Sequence, residues 1–149
     1  AFRNGLTEVC TSLAVAVARD GEGATRLIEV EVKNAATMED ARLAARAVAG
    51  SSLVKAAVFG RDANWGRVLC AAGYSGAAFD PDRVDIFLGD EQVAADGGSL
   101  KFSEERALEI LSRDTVRFTL DFKTGSCSAT AWGCDLSYDY VRINADYRT

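Results

Sequence analysis

Phe2, Leu6, Val9, Cys10, Leu13 and Val17 recur at the three- and four-residue spacing of one helical face, which predicts an amphipathic helix running to Arg19-Asp20-Gly21. An acidic, glycine-rich turn follows. The run from Arg26 to Val32 alternates, with Ile28, Val30 and Val32 on one side, and predicts a half-buried strand. Thr37 stands before Met38-Glu39-Asp40 as an N-cap with an acid three residues on, so the alanine-rich stretch after it reads as a helix to Gly50. Leu53 to Phe59 reads as a further apolar strand, and Asn64 to Ala72 as a short helix closed by Gly73.

Past Pro81, Val84 to Leu88 and Glu91 to Ala94 flank Gly89-Asp90, the signature of a tight antiparallel hairpin. Ser103-Glu104-Glu105-Arg106 opens another helix with acids in its first turn. Thr115 to Phe122 and Ser128 to Trp132 read as strands joined across Lys123-Thr124-Gly125, and Leu136 to Ile143 as a final short helix. The expected class is α+β, mixed sheets with helices packed on them. Residues 1–149 carry no repeat and no low-complexity linker, so one structural unit is expected.

Composition changes this picture little: 48% apolar and 26% charged residues are those of a folded globular chain. Its first residue is Ala1 within a helical pattern, which reads as a fragment or processed subunit of something larger. The net charge of −5, with 17 Lys and Arg scattered among acids, argues against a nucleic-acid partner. No apolar run approaches bilayer length and no signal-peptide pattern is present, so no membrane partner and a cytoplasmic location are expected. Cys10, Cys70, Cys127 and Cys134 lack CxxC spacing and there is no histidine, so reduced thiols are expected and a metal site is not.

The lack of histidine also removes the usual Ser-His and Cys-His pairs, and no GxGxxG, P-loop, HExxH or GxSxG motif occurs. Three local features remain. Asp20-Gly21-Glu22-Gly23-Ala24-Thr25 sets a carboxylate between glycines that let backbone approach a ligand, a pattern suited to an ammonium group. It also reads as a solvated helix-to-strand turn, which composition alone favours. Gly60-Arg61-Asp62-Ala63-Asn64-Trp65-Gly66-Arg67 lines a pocket or, as indole usually does, locks a packed corner. The tail from Ser137 to Thr149 holds three tyrosines and Ile143, which implies that it packs on the body and presents Asn144 and Thr149.

In this order, DGEGATRLIEVEV, LVKAAVFGRDANWGR with AAGYSG, and SATAWGCDLSYDYVRINADYRT resemble the ornithine acetyltransferase (glutamate N-acetyltransferase) family essentially from end to end. Ala63 departs from the family's usual DPNWGR, which affects turn rigidity more than chemistry. The resemblance implies the C-terminal part of the β chain of a self-cleaving precursor, in the ornithine acetyltransferase and N-terminal-nucleophile-like aminopeptidase fold. It implies an N-terminal threonine nucleophile upstream of this chain, so no catalytic residue falls within it. Acetyl would pass from N-acetylornithine to glutamate through a threonine ester, with the threonine's own amine as base. No resident cofactor is implied, although acetyl-CoA serves as donor in bifunctional members. The implied partners are the α chain in an α2β2 assembly and the substrates N-acetylornithine, ornithine and glutamate.

Residue by residue, the family's substrate contacts carry over to Glu22, Asn144 and Thr149. Ala36-Thr37-Met38 repeats the family's cleavage triplet, but it lies downstream of DGEGAT and between a strand and a helix, so Thr37 is expected to cap rather than to be cleaved. The alternatives are a related self-processing aminopeptidase and a non-catalytic amino-acid-binding domain.

Overall fold

The computed structural model describes residues 1–147. The helices are α1 (Phe2–Arg19), α2 (Met38–Gly50), α3 (Ser52–Gly60), α4 (Trp65–Gly73), α5 (Glu104–Leu111) and α6 (Tyr138–Asp146). The strands are β1 (Leu27–Ala35), β2 (Asp85–Leu88), β3 (Glu91–Ala95), β4 (Gly98–Ser99), β5 (Thr115–Asp121) and β6 (Cys127–Cys134). They form one mixed six-stranded sheet in the order β4-β3-β2-β5-β1-β6. β1 runs parallel to β5 and antiparallel to β6, and the remaining pairs are antiparallel.

The alternation of β1 explains the layer structure. Ile28, Val30 and Val32 are fully buried on one face, while Glu29, Glu31 and Lys33 on the other stay half-buried. The apolar face packs under the helical layer, where α2 contributes Ala41, Ala44, Ala45 and Val48, all fully buried. Small side chains bring α2 close to the sheet: a Cβ on Gly133 of β6 would stand 2.7 Å from the Ala49 carbonyl oxygen. No single helix among the described residues is long and apolar enough to cross a membrane. The α2–α3 pair matches a broken span by length and composition, but Ala41, Ala44, Ala45, Val48, Val54 and Val58 of the pair belong to this core.

One expectation changes, and the packing adds two features. Leu53 to Phe59 is helical, not a strand: the Ser51 hydroxyl caps it by accepting from Val54 N–H, and Val54, Ala57 and Val58 supply a buried helical face. A short apolar run does not by itself distinguish the two, and here the cap and the 3.6-residue burial period decide. The final two long strands do not pair with each other, because β1 lies between them. Their connection instead crosses the end of β1, where Thr124 and Gly125 N–H groups both donate to the Asn34 carbonyl. The second feature is at α1, whose apolar stripe remains exposed and which buries no residue.

Thr37 caps α2 reciprocally. Its hydroxyl accepts from Asp40 N–H at 3.0 Å and donates to the Asp40 carboxylate at 2.5 Å. That hydroxyl, with the Ala78 N–H, holds the Asp40 carboxyl below its ordinary range. A threonine committed in this way is not a free nucleophile. Intact-mass measurement of the complete protein is expected to show no product ending at Ala36, and such a product would overturn the cap assignment.

Candidate functional site

The turn between α1 and β1 is closed by the Ala24 N–H donating to the Gly21 carbonyl at 3.0 Å. Gly23 adopts a φ of 66°, the sign that a type II turn requires at its third residue. Glu22 therefore sits at the second position of the turn, with its side chain exposed to solvent. The sequence places a carboxylate in the loop; the turn type puts it at the apex.

The C-terminal segment meets this apex. Ser137 caps α6 by accepting from Tyr140 N–H, and the same hydroxyl donates to the Gly23 carbonyl at 2.5 Å. About two helical turns on from Ser137, the Asn144 carboxamide N–H2 donates to Glu22 Oε2 at 2.9 Å and to the Tyr140 carbonyl at 2.9 Å. Both neighbours only accept, so their chemistry sets the amide's orientation. Glu22 Oε1 receives no protein donor among the described residues, and the Asn144 carboxamide oxygen is likewise uncommitted. Two exposed side chains joined by a hydrogen bond thus each keep one acceptor oxygen, one of them on a carboxylate, a chemistry suited to a cationic donor.

The loop beneath is held by Asp135, which is 2% exposed. Its Oδ1 accepts from the N–H groups of Thr25 at 2.7 Å and Arg26 at 2.9 Å. Its Oδ2 accepts from the Thr25 hydroxyl at 2.5 Å and faces the Arg26 guanidinium at 3.7 Å. A buried carboxylate is tolerated because these donors replace its water. The flanking backbone continues the same seam, with Asp135 N–H donating to the Arg26 carbonyl and Leu136 N–H to the Lys55 carbonyl. Tyr138 then meets Phe59 of α3 edge to face, 5.3 Å between ring centroids.

The tail docks more narrowly than its aromatic content predicts. None of α6 is buried, and Tyr138 and Tyr147 are 84% and 76% exposed. Its hold on the body is the polar seam, not a tyrosine-filled core. The Gly60–Arg67 corner takes the packing alternative: Asn64 caps α4, Arg67 donates to the Leu53 carbonyl, and Trp65 packs against the core. Beside Gly21, between α1, α2 and β6, an open cleft of about 610 Å³ is lined by Leu13, Val17, Arg46, Lys55 and Trp132 among others; neither Glu22 nor Asn144 lines it. The four cysteines are free, and no group of three or more metal-ligating side chains is found among the described residues.

Asp135 and Ser137 were not singled out from sequence. Ser137 carried a signal, a cap residue before a helical run; Asp135 carried none, because its partners lie 109 and 110 residues away. Thr149, the third expected substrate contact, lies outside the described residues.

A profile of the ArgJ family matches residues 1–149. The chain belongs to the ArgJ family. It is 62% identical over 149 residues to the arginine biosynthesis bifunctional protein ArgJ of Symbiobacterium thermophilum, covering 100% of this chain and 37% of that protein. It is 51% identical over 156 residues to the glutamate N-acetyltransferase of Methanothermobacter thermautotrophicus, covering 99% and 39%. Among solved structures it is similar to the ArgJ crystal structure from Bacillus halodurans, with a TM-score of 0.94 and 47% identity over 98% of this chain and 69% of that one. The chain therefore spans under two fifths of the length of the Symbiobacterium and Methanothermobacter proteins.

Proposed function

We propose that this chain is part of a glutamate N-acetyltransferase of arginine biosynthesis, and that its Glu22–Asn144 pair holds the amino-acid substrate. The observation that carries this reading is the 2.9 Å hydrogen bond joining two motifs 122 residues apart in the chain. Glu22 Oε1 and the Asn144 carboxamide oxygen receive the side-chain ammonium of N-acetylornithine, and Thr149 completes the contact set. Because both Asn144 N–H bonds are already used, Asn144 acts here as an acceptor and as the group that orients Glu22.

The reacting threonine lies upstream in the same β chain, at the N-terminus created by self-cleavage of the precursor. Its hydroxyl attacks the acetyl carbonyl, its own amine takes the proton, and ornithine leaves carrying a proton on its freed nitrogen. The α-amine of glutamate then attacks the threonine ester, giving N-acetylglutamate and restoring the hydroxyl. No bound cofactor is required; acetyl-CoA would act as a second donor, not as a resident group. The working assembly is a cytoplasmic α2β2 tetramer.

The test is a product analysis of the complete enzyme given N-acetylornithine labelled in the acetyl group, with glutamate. Labelled N-acetylglutamate is expected in a one-to-one ratio with ornithine. Labelled free acetate as the main product would replace this reading with a hydrolase of the aminopeptidase type.

A further inference from the structure

The Glu22 turn has few means of holding its own shape. Its one internal backbone hydrogen bond is Ala24 N–H to the Gly21 carbonyl, and Glu22 is exposed. What immobilises it comes from the far end of the chain. Asp135 takes two consecutive N–H groups at the exit of the turn with a single oxygen and the Thr25 hydroxyl with the other, while Ser137 takes the Gly23 carbonyl inside the turn. The Asp135 side chain is wholly buried, so its bonds do not compete with water. Thr25 is itself braced, because the Arg26 guanidinium donates to its hydroxyl at 3.1 Å.

From this we infer that Asp135 is a positioning residue for substrate recognition: it sets the height and direction of the Glu22 carboxylate through the Thr25–Arg26 backbone, without touching substrate. The inference rests on the proposed role of Glu22. A carboxylate suits the task because it is the one side-chain group that accepts several donors on two oxygens. It also ties the turn to the segment that carries Asn144, so both halves of the acceptor pair share one anchor. Sequence spacing hides the relation, since the anchor and the turn lie at opposite ends of the chain.

The experiment is a double-mutant cycle in the complete enzyme, with steady-state kinetics on N-acetylornithine and glutamate. Asp135→Asn keeps the shape but replaces one acceptor oxygen with a donor facing N–H and O–H donors. It is expected to raise KM for N-acetylornithine about tenfold, short of the roughly 100-fold that a full 1 Å misplacement can cost, with kcat within about twofold. On a Glu22→Gln background the same change is expected to move KM by less than about twofold. Equal effects on both backgrounds, or an unchanged KM, would overturn the inference.

Should Asp135→Asn fail to fold, Thr25→Val enters the same cycle, since it deletes a single hydroxyl from an exposed residue. Thr25→Ser is then expected to restore KM, which a purely bulk-packing role for this residue would not produce. If Glu22→Gln alone changes KM while the Asp135 and Thr25 variants do not, only the positioning inference falls. If Glu22→Gln itself leaves KM unchanged, the substrate-site reading falls and takes the inference with it.

Discussion

Glu22→Gln in the complete enzyme is expected to lower kcat/KM for N-acetylornithine by about 10- to 100-fold, carried mainly by KM. Hydrogen bonds to charged groups are worth about 1.5–3 kcal/mol, and each 1.36 kcal/mol is a factor of ten. Gln retains a carbonyl oxygen that accepts from Asn144, so the variant removes the charge while keeping the contact at 2.9 Å. Stability should barely move, because substitutions of exposed side chains usually stay within about 0.5 kcal/mol. A thermal midpoint equal to that of the parent enzyme, together with the kinetic loss, separates ligand recognition from folding. A kcat/KM within about twofold of the parent would remove Glu22 from the site.

Gly23→Ala should do more damage, though it deletes no functional group. Two costs add at this residue. Its φ of 66° is left-handed, which costs an L-residue with a Cβ roughly 1–2 kcal/mol. The new Cβ would also stand 2.7 Å from Tyr140 N, 3.0 Å from Ser137 Oγ and 3.1 Å from Asp139 C, so its neighbours are mainly the backbone of α6, which does not swing aside as a side chain would. Either the turn changes type or α6 shifts, and both separate Glu22 from Asn144. The expected result is a loss of about 2–5 kcal/mol in stability and a kcat/KM at least as low as that of Glu22→Gln. Gly60→Ala is the control, since nothing lies within 4 Å of its Cβ; it should leave kinetics unchanged. Parent-like activity in Gly23→Ala would mean that the contact between the turn and α6 does not matter for recognition.

Much of the fold could be read from the chain because the relevant forces are local. β1 announces itself through alternation, since a strand with one buried face needs apolar side chains at every second residue. Thr37, Asn64 and Ser103 mark their helices because a helix start leaves N–H groups that a short polar side chain satisfies. The β2–β3 hairpin follows from Gly89, whose φ is 59°. Where local signals conflict, the reading fails. Leu-Val-Lys-Ala-Ala-Val-Phe suits either state by composition, and only the packing of Val54, Ala57 and Val58 against the core makes it α3. The order of β5 and β6 in the sheet is not legible for a different reason: chain neighbours compete with a strand 80 or more residues away, and β1 takes the place between them.

The site divides along the same line. Sequence alone determined that an exposed carboxylate sits between glycines at residue 22, that a polar, aromatic tail ends the chain, and, through three ordered motifs, which family the chain resembles. Those are properties of short segments, and short segments carry their own turn and capping preferences. Tertiary structure decided that Glu22 and Asn144 touch, that the Asn144 amide presents its oxygen and not its N–H groups, and that Asp135 is the buried anchor of the turn. Each of these depends on the sheet and its helices bringing residues more than 100 positions apart within hydrogen-bond distance, a geometry that no local preference encodes.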